Sequence, residues 1–412
     1  MREWRRSAFS KDGNSSMATA VVTSSSFRQS ILELVPHLRR CAEEAEKERR
    51  LPADTITRLR ERGLFRAFVP RSYGGDERPL SEVLDVLTDL AVGCPSTAWV
   101  ASLGAIHNIA VCWLDKQGQD EIFGEGPDVF LSSSVAPTGT LTRSEGGLRL
   151  TGKWGFSSGV DHASWVMLGA HLKGRAVHAP PEFFFCFVRR SEVTVIDDWH
   201  VSGMRATGSK SLELADLFVP SHRALLLSTI PEQQAPGFAL HASSFYRLPW
   251  DCLFRSAFPP AALGTAIAAL ECFREYTTSR ISRFSGRGFR THAGSAMRMA
   301  AAAAQIDDAR QIFRRDLAAL DRSAREGATF PPGMAERISY DVAFVIDLCS
   351  RAVLRVFRGS GARVLYEGHP LQRHLRDIHA MSQHAAVELD GAGETYGRSL
   401  FQNPTFSLGA CE

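Results

Sequence analysis

Gly152 to Trp165, GKWGFSSGVDHASW, sets a hydroxyl two positions beyond a phenyl ring and four beyond an indole. Side chains two apart on a strand project the same way, so Trp154, Phe156 and Ser158 are predicted to share one face. That face either lies on a core or lines a pocket into which one hydroxyl points. Ser158 itself reads either as that hydroxyl or as a strand-end serine before the turn residue Gly159. Asp161 and His162, just beyond, read as a solvated or capping pair. Two further histidines interrupt apolar segments: His107 in LGAIHNIAVCW, and His384 between Met381 and Val387 on a predicted helix. Each is either core packing that needs a partner or a group able to hold a proton near neutral pH. Arg280, in YTTSRISRF, is either one more arginine on a solvated helix face or a phosphate ligand, since a guanidinium matches phosphate geometry.

Several chemistries have no residues here to carry them. The chain has no Walker A string, no HExxH, no GxSxG and no GxGxxG between a strand and a helix. GAGETYG at 391–397 follows a helical pattern and fails the context of a dinucleotide fingerprint, so no module for a nicotinamide cofactor is expected. The eight cysteines, Cys41, Cys94, Cys112, Cys186, Cys252, Cys272, Cys349 and Cys411, are scattered singly. They make neither CxxC nor a Cys/His cluster at metal spacing, so reduced thiols and no metal site are expected. Lys plus Arg is 48 and Asp plus Glu 45, a net charge of +3, too small and too evenly spread for a nucleic-acid surface. No apolar run is read as reaching the roughly 18 to 20 residues of a membrane helix, and no secretory h-region is seen, so a cytoplasmic protein with no membrane partner is expected.

The elements that position these residues fall into three blocks. The first 26 residues are Ser- and Arg-rich without apolar periodicity and are predicted to be a disordered extension, with Met17 a possible start and a transit peptide the rival reading. Residues 27–128 show helical spacing, ending in PSTAWVASLGAIHNIAVCWL, apolar on every side and therefore a buried helix. Residues 129–235 change to six short strands bounded by Gly, Pro, Ser and Asp, which predicts a compact antiparallel sheet or barrel. In LSSSV, Ser132 and Ser134 share one face and Ser133 takes the other. Residues 236–412 return to helices, four of them long enough for an antiparallel bundle, the last spanning LQRHLRDIHAMSQHAAVEL. The class is α+β, mostly α, and 412 residues with 44% hydrophobic content suffice for two or three domains.

From about residue 30 to 400 this order and four strings resemble the acyl-CoA dehydrogenase superfamily. They are GKWGFSSGVDHASW, GMRATGSKSLELADLFVP at 203–220, YTTSRISRF at 276–284 and RDIHAMSQHAA at 376–386. The resemblance implies an N-terminal helical domain, a central antiparallel β domain and a C-terminal four-helix bundle. It puts Phe156 and Trp154 against a flavin, the Ser158 hydroxyl at flavin N5, and Ser134 on the strand beside it. It puts Arg280 on the flavin pyrophosphate across a subunit interface, and Gly361, in RGSGARVLYEG, near a cofactor phosphate; that segment is otherwise a plain helix connection. Arg376-Asp377 match the start of the last core helix. Counted from there, the glutamate that takes the α-proton in the dehydrogenases falls at Ala385, which cannot accept a proton, and His384 stands beside it. That departure, with YGG at 73–75, CPSTAW at 94–99, PLQRHLRDIHA at 370–380 and YGR at 396–398, resembles the flavin-dependent monooxygenase branch, the oxygenase components of two-component hydroxylases. There a separate flavin reductase supplies reduced FMN or FAD, and a C4a-hydroperoxyflavin formed with O2 oxygenates an organic, chiefly aromatic, small molecule. On this resemblance Ser158 and His384 are the catalytic pair, and His107, Trp99 and Ser132 lie on the substrate side. The assembly it implies is a homotetramer, with a dimer of similar packing as the alternative. The rival functions are an N- or S-oxygenase of the same fold, an acyl-CoA dehydrogenase with a base elsewhere, and a flavin-free scaffold.

Overall fold

The computed structural model describes residues 26–173, 181–281, 286, 288–327 and 330–402. The expected N-terminal extension lies outside the described residues, but for Ser26. Helices α1 (Val35–Glu48), α2 (Ala53–Glu61), α3 (Leu80–Ala91), α4 (Pro95–Val111) and α5 (Lys116–Phe123) form the first layer. Every residue of α4 is buried, because it packs on α3, on the bundle helix α7 (Pro259–Ser279) and on the sheet at once. Proline at its first turn costs no hydrogen bond, since the leading N–H groups of a helix are unpaired anyway. The start of α3 is held from a distance: Leu80 and Ser81 donate their backbone N–H groups to the buried Asp321 carboxylate of α8 (Ala293–Glu326). A carboxylate there completes the helix terminus and suits its dipole.

The centre is one seven-stranded sheet in the order β5-β6-β2-β1-β3-β4-β7: β1 (Leu131–Ser144), β2 (Gly147–Ser157), β3 (Trp165–Leu172), β4 (Phe183–Arg189), β5 (Thr194–Ile196), β6 (Lys210–Pro220) and β7 (Ala224–Leu226). It is mixed, not antiparallel, because β1 pairs with β3 in parallel, from Leu131 opposite Trp165 to Leu141 opposite Leu172. The β2–β3 connection runs through a 3-10 turn at Val160–His162 and returns the chain to the end at which β1 started, which forces that direction. One sheet face joins the main core with α4, and the other has its own apolar cluster around Trp154, Leu150, Leu168 and Leu212.

Beyond the sheet come α6 (Trp250–Arg255), α7, α8, α9 (Met334–Ser360), α10 (Pro370–Met381) and α11 (Leu389–Gln402), with α7, α8, α9 and α10 packed as the bundle. Trp250–Ser279 is long and apolar enough by composition to cross a bilayer, contrary to the sequence reading, and 78% of its most apolar window is buried inside the protein. The long last helix expected over 371–389 is broken. α10 ends at Met381, one 3-10 turn covers Ala385–Val387, and α11 starts at Leu389. The cause is local. Ala386 donates its N–H to Nδ1 of His384, and the Arg255 guanidinium takes the Ala386 carbonyl, so both groups leave the helical ladder. Arg376 and Asp377 accordingly sit in the middle of α10 and not at a helix start.

Candidate active site

The geometry begins with an irregularity in β2. Trp154 pairs with Leu212 and Ser157 with Lys210, so three steps on β2 face two on β6. The extra residue is a β-bulge, and Phe156 absorbs it with φ +64°, a left-handed conformation that costs an aromatic residue on the order of 1–3 kcal/mol. The bulge breaks the parity predicted for Trp154, Phe156 and Ser158. Phe156 is 72% exposed, whereas Trp154 is 1% exposed and turns into the second apolar cluster, donating Nε1–H to the Gly169 carbonyl at 2.7 Å. Trp154 therefore supports the sheet from behind and does not share the face of Phe156. The Phe156 ring instead meets Trp199 edge-on at 6.0 Å.

Three β1 hydroxyls fasten the end of β2 and its surroundings. Ser134 donates to the Gly155 carbonyl at 2.7 Å, and Ser132 to the Ser158 carbonyl at 2.8 Å. The one proton of Ser132 is thereby used, so its 2.8 Å contact with Ser157 Oγ is a hydroxyl donated by Ser157. Ser132 and Ser134 share a face as read from the sequence, but both are buried. Their hydroxyl protons are spent on the backbone carbonyls of the bulge. Ser133 points the other way and donates to Nε2 of His107 at 3.0 Å. Nδ1 of His107 lies 2.8 Å from the Leu131 carbonyl, which can only accept, so Nδ1 carries the hydrogen and Nε2 is the acceptor. Burial pushes the His107 pKa down to about 4, which keeps the imidazole neutral.

From His107 an aromatic wall leads back to Ser158. Phe254 stacks on His107 at 5.4 Å, Phe258 lies 6.0 Å from Phe254, and Trp99 lies 4.9 Å from Phe258. Trp99 donates Nε1–H to Ser158 Oγ at 3.2 Å. This circuit of contacts runs from Ser133 through His107, Phe254, Phe258 and Trp99 to Ser158, and none of its members is a carboxylate. The turn after Ser158 is pressed onto α4 at Gly159, which has φ +71°; a Cβ there would come within 2.8 Å of both Val100 and Phe130. Beside His107 a cavity of about 10 Å³ is lined by apolar groups that include Trp113, Met167, Trp250 and Leu253.

His384 joins this wall from outside. Its ring lies 4.5 Å from Phe258 and edge-on to Trp99 at 5.6 Å. Burial and the Arg255 guanidinium push its pKa down to about 4. Because Nδ1 accepts from Ala386, the single proton of the neutral ring sits on Nε2. Ala385 lines a separate cleft of about 400 Å³ with Asp251, Glu336 and Glu388.

Arg280 and Gly361 meet each other, away from this circuit. The guanidinium donates to the Ser360 carbonyl at 2.6 Å and lies over the Phe289 ring at 3.9 Å. A Cβ on Gly361, whose φ is +74°, would come within 2.6 Å of that guanidinium. In the turn at Val160–His162, Asp161 pairs with Lys210 at 2.9 Å and burial lowers the His162 pKa, so the two form neither a cap nor a solvated pair.

Sequence reasoning missed Phe254, Phe258, Thr207 and Ser209. The last two continue the hydroxyl contacts of Ser158: Ser209 Oγ is 2.8 Å from it, Thr207 Oγ1 is 2.6 Å from Ser209, and Thr207 donates to the Met204 carbonyl at 2.8 Å. Their signal was present as alternating hydroxyl residues in MRATGSKS. Met204, at φ +54°, is anchored by its N–H to the Asp377 carboxylate at 2.6 Å. Burial pushes that carboxyl up to about 6. Two of the strings that carry the family resemblance therefore touch each other here.

Comparison with known proteins agrees with this geometry. Residues 24–122 match the family model for the acyl-CoA dehydrogenase N-terminal domain, and residues 256–389 that for its C-terminal domain. The chain is 31% identical over 389 residues to the oxygenase component of p-hydroxyphenylacetate 3-hydroxylase of Acinetobacter baumannii, covering 93% of this chain and 90% of that one. It is 32% identical to HsaA, the oxygenase subunit of a flavin-dependent monooxygenase of Rhodococcus jostii, over 90% of this chain and 97% of the other. The crystal structure of the 3-HSA hydroxylase from Rhodococcus sp. RHA1 superposes with a TM-score of 0.86 at 31% identity, covering 92% of this chain and 97% of that chain. XiaF from Streptomyces sp., solved with FADH2 and glycerol, superposes with a TM-score of 0.84 at 27% identity over 96% and 100% of the two chains. The chain belongs to the acyl-CoA dehydrogenase family, in the branch formed by the oxygenase components of flavin-dependent monooxygenases.

Proposed function

We propose that the protein hydroxylates a phenolic aromatic compound with O2 and a reduced flavin, FMN or FAD, delivered by a separate flavin reductase. The observation that carries this reading is the run of aromatic rings from His107 to Trp99 that ends on the Ser158 hydroxyl, two residues beyond a strained and exposed Phe156. These residues fit a flavin. An aromatic face held out at a bulge suits the isoalloxazine plane, and the backbone strain at Phe156 is stored where a ligand would use it. When bound, the reduced flavin supplies the two electrons that activate oxygen.

The chain's own groups do the rest. Trp99, Phe254 and Phe258 exclude water, which matters because stray protons and water divert reducing equivalents to hydrogen peroxide. The neutral His107, with its Nδ1–H spent on Leu131, offers an acceptor at Nε2 through the Ser133 hydroxyl. A phenol donating to Ser133 is thus matched by a neutral acceptor one hydroxyl away, and a hydrogen bond that draws on the phenol proton makes the ring a better nucleophile. Ala385 offers no base and the circuit has no carboxylate, so the position that takes the carbon-bound proton in the dehydrogenases carries no acceptor here.

Under a flavin reductase and NADH, labelled O2 is expected to appear in the product of at least one phenol from a panel. Oxygen going only to hydrogen peroxide with every phenol and every aromatic amine or sulfide tried would overturn the reading. His107→Ala is expected to lower kcat/KM for the phenol by about a hundredfold at pH 7, a typical share for a positioned base. The loss should shrink toward pH 9, where more of the phenol is already ionised. An equal loss at both pH values would assign His107 to packing.

The assembly proposed is a homotetramer. Around Arg280 and Gly361 stand four exposed apolar side chains, Ile281, Met297, Leu365 and Tyr366, a face suited to a second copy of the chain. Arg280 would there face a flavin phosphate held between two copies.

A further inference from the structure

We infer that Thr207 and Ser209 act through Ser158 to make the flavin site selective for the reduced state, by fixing the direction of one hydroxyl proton. The inference rests on the flavin reading of the site above and deepens it. A serine or threonine hydroxyl has one proton and two lone pairs. Thr207 Oγ1 lies 2.8 Å from the Met204 carbonyl, an oxygen that only accepts, so the Thr207 proton must point there. Were it turned toward Ser209, two lone-pair oxygens would face each other at 2.8 Å inside the protein, where both residues are buried. Thr207 therefore accepts from Ser209 across 2.6 Å. With its proton committed, Ser209 accepts from Ser158 across 2.8 Å. Ser158 already accepts the Trp99 Nε1–H. One valence of its oxygen remains, and it is a lone pair.

A lone pair on Ser158, two residues beyond Phe156, would distinguish the two redox states of a flavin. N5 of the reduced ring carries a hydrogen and donates, whereas N5 of the oxidised ring only accepts. The first completes Ser158, and the second sets one lone pair against another. The end of the chain is fixed as firmly as its start, because the Met204 N–H is held by Asp377 of α10 and its carbonyl also accepts from Trp199 Nε1 at 3.3 Å. Thr207 and Ser209 are positioning residues: they touch no ligand and decide what Ser158 offers one.

The test is equilibrium binding of FMN and FAD, oxidised and photoreduced, under anaerobic conditions, together with the midpoint potential of the bound flavin. The unaltered protein is expected to bind the reduced form at least about tenfold more tightly, the scale of one misdirected hydrogen bond. Ser209→Ala and Thr207→Val release the Ser158 proton, and each should cut that preference about tenfold and lower the bound potential by about 30 mV, the equivalent for two electrons. Thr207→Ser keeps the hydroxyl and should keep both values. Wild-type preference and potential in both Ser209→Ala and Thr207→Val would overturn the inference while leaving the flavin site standing. Failure of the unaltered protein to bind either form would remove the flavin reading itself, and the inference with it.

Discussion

Ser158→Ala is expected to lower the fraction of consumed O2 that reaches product by ten- to a hundredfold, with the balance released as hydrogen peroxide, while reduced flavin still binds within about tenfold of normal. The two magnitudes differ because the hydroxyl has two tasks. As one hydrogen bond among the many contacts of a large planar ligand, it is worth about 1 kcal/mol to binding. On the flavin reading it would face the ring that activates oxygen, so an unpaired donor or a water in its place would act directly on the step that decides between product and peroxide. The substitution also leaves Trp99 Nε1–H without its acceptor and ends the contact with Ser209. Ser158→Thr restores the oxygen and should recover most of the coupling. The measurement is the ratio of peroxide released to oxygen consumed at saturating phenol. A ratio unchanged in Ser158→Ala would return Ser158 to the other role its sequence context allows, a strand-end serine ahead of a turn glycine.

The same segment shows how far the sequence could be read. The order of helices, sheet and bundle was legible because it rests largely on periodicity: 3.6 residues across α1 and α3, and 2 across β2 and β6. Within GKWGFSS parity failed at Phe156, because a bulge is a tertiary feature. Nothing in GKWGFSS marks which residue will be the extra one. It emerges from the pairing of Trp154 with Leu212 and of Ser157 with Lys210. The parallel β1–β3 pair was hidden for a similar reason, since strand direction depends on where a connection returns and not on composition. The helix break at 382–388 was hidden because the groups that cause it are distant: Arg255 comes from α6, over a hundred residues upstream of the carbonyl it captures. Residue types pointed to Ser158, His107, Trp99 and His384, and the structure sets these four on one connected surface. It could not have been read from their types that Ser132 and Ser134 would face inward, since both parities of LSSSV carry serines. Thr207 and Ser209 were overlooked because their alternation begins in a loop, where a two-residue period defines no face.

His384→Ala is expected to uncouple the enzyme by about an order of magnitude or more, and His384→Gln to recover part of the loss. The expectation follows from the proton the ring must carry. Nδ1 is the acceptor for the Ala386 N–H, so the neutral imidazole presents Nε2–H, a single donor held between Trp99 and Phe258. Glutamine can offer an N–H at a similar reach; alanine offers none and opens a space that water can enter beside the aromatic wall. The pH dependence separates this role from that of an imidazolium. Burial and Arg255 push the pKa from its ordinary 6.5 down to about 4, so His384 stays neutral in the folded protein throughout the window between those values. Coupling attributable to it should be level from pH 8 to 6 and fall only on approach to 4. A charged donor of ordinary pKa would instead be lost as pH rises through 6.5. The sign for stability is set by the same shift. The unfolded chain takes up a proton on this residue below about 6.5 and the folded chain resists it to about 4, so the stability it contributes is complete above 6.5 and is lost as the pH falls toward 4. The urea midpoint of the unaltered protein should therefore drop more steeply between pH 6.5 and 5 than that of His384→Gln, which has nothing to protonate. Equal slopes, or an inflection in coupling near 6.5, would show that His384 titrates freely and is not the neutral donor its packing requires.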